Sequence, residues 1–310
     1  MYTTISTKNI SRNDWLQMRK TGIGGSDAGA VCGLNPYSSA MNVFYDKTSE
    51  ELSDFDNEAM RQGRDLEEYV ARRFMEQTGK RVYRSNKMYR STAHPFMLAD
   101  IDRLISGENA GLECKTVSPY MADKWIGNEL PPHYMIQCHH YMAVTGKEAW
   151  YIAAVILGQG FLYRKILRDE SLIQNLTSIE EQFWKNHVLT GKMPDPDGSK
   201  ACDEVLAQYF KTADSGSSIP LIGFDEKLKR RAEISELQDK LEKEKKQIEQ
   251  EVKVYMEDAE KADSDRFSVS WKSVVSNRVD SKKLKADYPD IYKECVKESE
   301  SRRFTVKEIA

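Results

Sequence analysis

A chain of 310 residues, 40% hydrophobic and 31% charged, is long enough to bury a full core and to carry a charge-rich appendage. Its net charge of −3, from 46 basic against 49 acidic side chains, argues against a protein that coats nucleic acid non-specifically, although local basic patches still permit a DNA enzyme. No apolar run approaches a membrane span, the N-terminal stretch lacks a signal-peptide apolar region, and the scattered Cys32, Cys114, Cys138, Cys202 and Cys295 offer neither a disulfide framework nor a zinc pattern. The expected setting is a reducing cytoplasm.

The N-terminal part offers short helices. Asn13 or Asp14 is placed to cap a helix running through Arg19, and the glycine-rich TGIGGSDAG leads into another with Ser26 as its expected N-cap. From Asn57 to Gly79 the spacing predicts a long helix, with Leu66, Tyr69, Val70, Phe74 and Met75 on one stripe and Gly79 as terminator. The period then changes: residues 81–86, 96–105 and 111–117 read as strands, the last two joined by the turn SGENAG. Pro131 and Pro132 precede a helix ending near Gly146. Two apolar runs, AWYIAAVIL and FLYRKIL, form a hairpin about Gly158 and Gly160, and residues 172–189 are again helical.

SGSSIPLIG, within 215–224, marks a linker after a core of residues 1–214. Beyond it, 225–262 reads as one charged amphipathic helix with Ile234, Leu237, Leu241, Ile248, Val252 and Tyr255 at mostly heptad-compatible spacing, interrupted at Glu244 or Lys245. The stripe suits packing on its own chain more readily than a dimeric coiled coil. Residues 263–310, with RFSVSWK and SRRFTV, read as a small α/β unit. Its Lys272, Arg278, Lys282, Lys283, Lys285, Arg302 and Arg303 are interleaved with acids, as on a solvated surface. Helices, a strand cluster, a helix and more strands make the expected class α/β (α+β), a central mixed sheet flanked by helices.

The chemistry concentrates in LADIDRLISGENAGLECKT, residues 98–116. On a strand Glu113 and Lys115 share one face while Leu112 and Cys114 share the other, and pairing of the two runs brings Asp102 beside Glu113. Two carboxylates would repel each other; a divalent cation resolves the conflict, and a neighbouring ammonium can position or activate a water. That is minimal equipment for phosphodiester hydrolysis, although acidic residues around a surface hairpin are common. Asp100 lies two residues from Asp102 on the same predicted face and is an alternative ligand. His139 and His140 are adjacent and cannot share a helix face, so a histidine metal site is not expected.

Five pieces in order resemble the YqaJ viral recombinase family, the lambda-type phage exonucleases of the PD-(D/E)xK superfamily. They are Trp15 and Arg19 followed by GIGGSDAG, GRDLEEYV with Glu67, Asp102, GLECK, and HYMIQCHHYMAVTG with Gln137. The resemblance spans roughly residues 10–195 and implies a restriction-endonuclease-like core. It implies that Asp102, Glu113 and the backbone carbonyl of Cys114 ligate Mg²⁺, with Mn²⁺ as substitute, and that Lys115 positions or activates the water. Glu67 then stands near a second metal, Gln137 holds the attacking water or scissile region, and Arg19 with Ser26 receives a 5′-phosphate. A helix N-terminus, a hydroxyl and a guanidinium suit such an anion on physical grounds as well. Taken alone, Glu67 reads as an exposed helix charge and Gln137 as a buried hydrogen-bonding residue. The family's usual S/N-P-D-G at the first metal-binding aspartate is here Ala99-Asp100-Ile101-Asp102-Arg103, without proline or glycine. Degradation of double-stranded DNA ends from the 5′ side, a homotrimer and a single-strand annealing protein as partner are further implications of the resemblance. The competing expectations are an endonuclease or repair nuclease of the same superfamily, and a catalytically silent DNA-binding module.

Overall fold

The computed structural model describes residues 1–50, 56–125, 127, 130–297 and 301–309. Its elements, in chain order, are β1 (Tyr2–Ser6), α1 (Arg12–Lys20), α2 (Gly25–Val31), α3 (Ala40–Thr48), α4 (Glu58–Thr78), β2 (Val82–Tyr83), β3 (Lys87–Ser91), β4 (Leu98–Asp100), β5 (Arg103–Ile105), β6 (Ala110–Val117), α5 (Pro132–Thr145), β7 (Ala149–Ile156), β8 (Gly160–Leu167), α6 (Glu170–Phe183) and α7 (Lys200–Tyr209). These belong to one compact unit, Met1–Phe210. The second unit, Lys211–Ala310, holds α8 (Asp225–Met256), the antiparallel pair β9 (Lys261–Asp263) and β10 (Ser268–Ser270), α9 (Ser281–Asp287) and α10 (Pro289–Cys295). Among the described residues no helix is long and apolar enough to cross a membrane.

The first unit is a mixed α/β assembly. Its central sheet runs β2-β5-β6-β7-β8, antiparallel except for the parallel pair β6–β7, and a smaller antiparallel sheet runs β1-β3-β4. Strand alternation sorts β7 between two cores: Ala149, Tyr151 and Ala153 pack with Val70 and Phe74 of α4, whereas Trp150, Ile152 and Ala154 belong to the cluster containing Cys138, Tyr141 and Met142 of α5. The sheet is therefore covered on both faces. β6 obeys the same alternation, with Ala110 and Leu112 in the α4 cluster, so Glu113 and Lys115 face the α5 side. Gly111, between Ala110 and Leu112, is required by close approach: a Cβ there would lie 2.4 Å from the buried Trp150 ring.

The long helix α4 begins at the N-cap Asn57 and stops at Gly79, whose φ of 69° is the left-handed conformation that ends helices. Several boundaries differ from the sequence expectations. Helix α1 is capped by Ser11, whose hydroxyl accepts from the Asp14 amide, rather than by Asn13 or Asp14. Gly24 caps α2, placing Ser26 inside the helix, and the Asp27 side chain reaches back to accept the Gly24 amide. The expected single strand 96–105 is two strands in two sheets, broken at Ile101 and Asp102. Apolar residues on every side of this run hide the break: Leu98, Ala99, Ile101, Leu104 and Ile105 are all buried. Helix α8 ends at Met256 rather than near 262, and SRRFTV forms no strand. Within the second unit, Ile234, Leu237, Leu241, Ile248 and Tyr255 of the α8 stripe are exposed.

Candidate active site

Register puts the acidic residues together. The β5–β6 ladder pairs Arg103 with Leu112, which brings Asp102 opposite Glu113, and the Asp102 Oδ2 accepts the Cys114 amide at 2.7 Å. Glu113 is buried, and its Oε1 accepts from Lys115 Nζ at 2.7 Å and from Gln137 Nε2 at 2.7 Å. Gln137 Oε1 in turn accepts from Lys115 at 3.1 Å, while its amide nitrogen also donates to the Tyr141 hydroxyl at 2.9 Å. Lys115 stands 4.8 Å over the Tyr134 ring. Three of the expected side chains, from β6 and α5, thus form one closed hydrogen-bonded triangle beside Asp102.

The electrostatics of this cluster are strained. Burial pushes the Asp102 carboxyl well above its usual range, and the charges of Glu113 and Glu67 push it further. Burial would lower the Lys115 ammonium, but Glu113 overrides it and raises the pKa. Glu113 Oε2 is buried without a hydrogen-bond partner. An orphaned carboxylate oxygen beside a second repelled carboxylate is a donor set that suits a hard divalent cation. Among the described residues no group of three or more His, Cys, Asp or Glu side chains gathers as a metal cluster, so such an ion would rely on these two carboxylates, backbone oxygen and water. The Cys114 thiol, raised by burial and by both carboxylates, packs in the α4 cluster on the opposite face of β6 from Glu113.

Glu67 approaches from α4 but is held by an ion pair. Arg103, only 3% exposed, reaches Glu67 Oε1 and the Asp102 carbonyl through one nitrogen and Glu68 Oε2 at 2.8 Å through the other. The sequence reading passed over Arg103, although a cation inside a buried run was a signal that it needed acidic partners. Asp100 is drawn elsewhere: it accepts the Trp15 indole N–H at 2.7 Å and lines a small cavity of about 110 Å³ with Arg19, Gly24, Gly25 and Ser26. Asp100 and Asp102 therefore do not share one face.

Arg19 donates to Ser26 Oγ at 3.1 Å and to Asp27 Oδ1 at 3.4 Å, and it lies 4.9 Å over the Trp15 ring. Behind it the fully buried Lys47 ammonium binds Asp27 at 2.8 Å and the Arg19 carbonyl at 3.1 Å. Lys47 also pairs with its neighbour Asp46 at 3.1 Å, but nothing in the local sequence marks it for the contacts with Asp27 and Arg19, which lie 20 and 28 residues away. Burial alone would raise Asp27, but Lys47 and Arg19 bring its carboxyl from the ordinary 3.8 to about 2. The stabilisation is fully present above pH 3.8 and disappears as pH falls through about 2, an increment of about 2 kcal/mol. Acid titration of urea midpoints is expected to show this loss between pH 4 and 2 in the unaltered protein but not in Asp27→Asn. Parallel profiles for the two proteins would contradict the assignment.

Asp102, Glu113 and Lys115 open on a cleft of about 1190 Å³, whose walls include Arg12, Trp15, Arg19, Arg64, Glu67 and Lys124. Arg19 borders both this cleft and the smaller cavity; Ser26 borders only the latter. The histidines of α5 serve different ends. His140 is fully buried against Glu180 and the Leu98 carbonyl, His139 meets the Met135 carbonyl, and His133 lines the cleft.

Residues 14–148 match the model of the YqaJ-like viral recombinase domain. The uncharacterized protein YqaJ of Bacillus subtilis (strain 168) is 38% identical over 97% of this chain and 96% of its own. Among solved structures, the alkaline exonuclease LHK-Exo of Laribacter hongkongensis superposes with a TM-score of 0.51 at 18% identity, over 65% of this chain and 100% of that one. Its complex with dAMP superposes with a TM-score of 0.50 at 17% identity, over the same shares. At these identities the likeness establishes the shared fold.

Proposed function

The chain belongs to the YqaJ-like viral recombinase family, and from that premise we propose that it is a metal-dependent exonuclease acting on the ends of double-stranded DNA, degrading one strand from its 5′ end. The observation that carries the reading is the buried juxtaposition of Asp102, Glu113 and Lys115, held by Gln137, at a cleft of about 1190 Å³.

Asp102 and Glu113 would hold Mg²⁺ or Mn²⁺, with the Cys114 carbonyl. When bound, the cation supplies Lewis-acid polarisation of the phosphate and lowers the pKa of a water. Glu113 accepts two hydrogen bonds on one oxygen, which leaves the other to face the ion. Lys115, kept charged, presents an ammonium where negative charge develops on the phosphate, and Gln137 fixes both of its neighbours in place. Arg19 and Ser26 would bind a terminal 5′-phosphate, and Glu67 would act near a second ion only after loosening its pair with Arg103. The product, a 3′ single-stranded tail, suits a single-strand annealing protein as recipient. In the second unit, the exposed stripe of α8 is assigned to oligomerisation, as in a trimer, or to that partner; deletion of 225–310 with oligomeric state and partner binding unchanged would remove the assignment.

The test uses linear duplex DNA with 5′-phosphate or 5′-hydroxyl ends and a distinguishable label on each strand, with Mg²⁺ or Mn²⁺, beside a closed circle. Loss of label from phosphorylated 5′ ends alone is the expected result. Cleavage of the circle would favour an endonuclease. Binding of DNA without turnover under either metal would favour the silent module.

A further inference from the structure

One wall of the large cleft carries more aromatic surface than hydrolysis requires. Starting at Lys115, the rings run in sequence: Tyr134 lies 4.8 Å from the Lys115 ammonium, His133 is 4.0 Å from Tyr134 between centroids, and Tyr37 meets His133 edge-on at 6.2 Å and 84°. All three line the same cleft as Glu113 and Lys115, together with Leu34 and Pro36. Tyr134 is backed by the buried Trp125 at 5.3 Å, and His133 is wedged against Gly29, where a Cβ would lie 2.8 Å from the His133 Cβ. The inner rungs are therefore fixed. Tyr37 is the outer rung, 63% exposed, in the loop between α2 and α3, where its amide is held by the Asn35 side chain at 2.9 Å.

A tyrosine this exposed contributes little to the core, so its position needs another reason. The cleft also holds Arg12, Arg19 and Lys124 among its lining residues, which favour a polyanion, and the apolar wall ends at the candidate hydrolytic group. Cations that follow a backbone, interleaved with aromatic faces, form the arrangement by which single strands are bound without sequence preference. We infer that Tyr37, with His133 and Tyr134 behind it, is a stacking platform for an unpaired nucleobase of the strand being cleaved, so that the site accepts a locally frayed end rather than intact duplex. The inference rests on the proposed exonuclease reading and deepens it. It also implies tolerance of all four bases, since each presents a π face to the ring.

The experiment uses the full chain and a 5′-phosphorylated blunt duplex whose 5′-terminal base is 2-aminopurine, whose fluorescence is quenched by stacking; the quench is read with chelator, so that the base is not released, and KM and kcat are read with Mg²⁺. The unaltered protein is expected to quench beyond the free duplex. Tyr37→Ala is expected to lose that extra quench and to raise KM by about fivefold, the low end of the range for one stacked base, with kcat nearly unchanged. Tyr37→Trp should restore both. Pre-fraying the end with two mismatches should lower KM for both proteins and leave the gap between Tyr37→Ala and the unaltered protein in place. Equal KM and equal quench for Tyr37→Ala, with turnover intact, would overturn the platform and leave the exonuclease reading standing. No turnover and no binding by the unaltered protein would remove both. Because Tyr37 is exposed, misfolding does not confound the substitution, and matching melting curves would verify this.

Discussion

Asp102→Asn is expected to lower turnover of linear duplex DNA by at least roughly 10²-fold while raising the melting temperature of the metal-free protein. The two effects have one cause. Asp102 is buried against Glu113 and within the field of Glu67, and its carboxyl is pushed well above the ordinary carboxylate range. At neutral pH a carboxylate in that position favours the unfolded chain, because folding forces a charge to remain where a proton is preferred; the penalty grows as pH rises above the unfolded value. Asparagine keeps an oxygen to accept the Cys114 amide and discards the charge. It also discards half of the carboxylate pair that would bind the cation. Mg²⁺ is therefore expected to raise the melting temperature of the unaltered protein and to leave Asp102→Asn unmoved. Thermal melts with chelator and with Mg²⁺, run beside the nuclease assay, check both parts. A variant that melts lower and still responds to Mg²⁺ would show that Asp102 serves the fold rather than the ion.

The second large effect concerns stability. His140→Ala is expected to cost about 3–5 kcal/mol, enough to unfold a marginal domain. His140 and Glu180 are both completely buried; Nδ1 lies 2.7 Å from Glu180 Oε1, and Nε2 donates to the Leu98 carbonyl at 2.8 Å. Burial by itself would lower the imidazole pKa, but the Glu180 carboxylate overrides it and holds the value above ordinary. Truncating the ring strands Glu180, whose other oxygen already has no partner, and frees the carbonyl that anchors β4 just before Asp100 and Asp102. Urea unfolding of His140→Ala, Glu180→Ala and the double variant measures the coupling. A double-variant loss well below the sum of the single losses is expected; simple additivity would mean that the two side chains act independently.

How much of this was legible before folding differs from residue to residue, for physical reasons. Strand alternation alone placed Glu113 and Lys115 on one face and Leu112 on the other, because period two is a property of any extended chain. The boundaries of α4 were equally local: Asn57 caps and Gly79 turns left-handed within a few residues of the bonds they make. The central hairpins were readable from their turns, and the mixed sheet flanked by helices followed from the order of periodic segments. Helix caps near Ser11 and Gly24 were misplaced by two or three residues because several cap-competent side chains stand in line, and local hydrogen bonds choose among them.

What only the tertiary structure decided is everything that depends on partners distant in sequence. Asp100 and Asp102 are indistinguishable as neighbours in a strand pattern; the Trp15 indole takes one and the Cys114 amide the other, and the chain breaks into two sheets between them. Arg103 reaches back 36 residues to Glu67, Lys47 reaches back 28 to Arg19, and His140 reaches forward 40 to Glu180. Each is a charged or ionisable group whose burial is tolerable only because a partner arrives with the fold. By itself the sequence determined which residues face together along each strand and helix, since backbone geometry sets those periods. Which faces then met, and so which carboxylates crowd one another and which aromatic rings line the cleft, was decided by packing, because desolvation and Coulomb energies depend on distances that no local pattern contains.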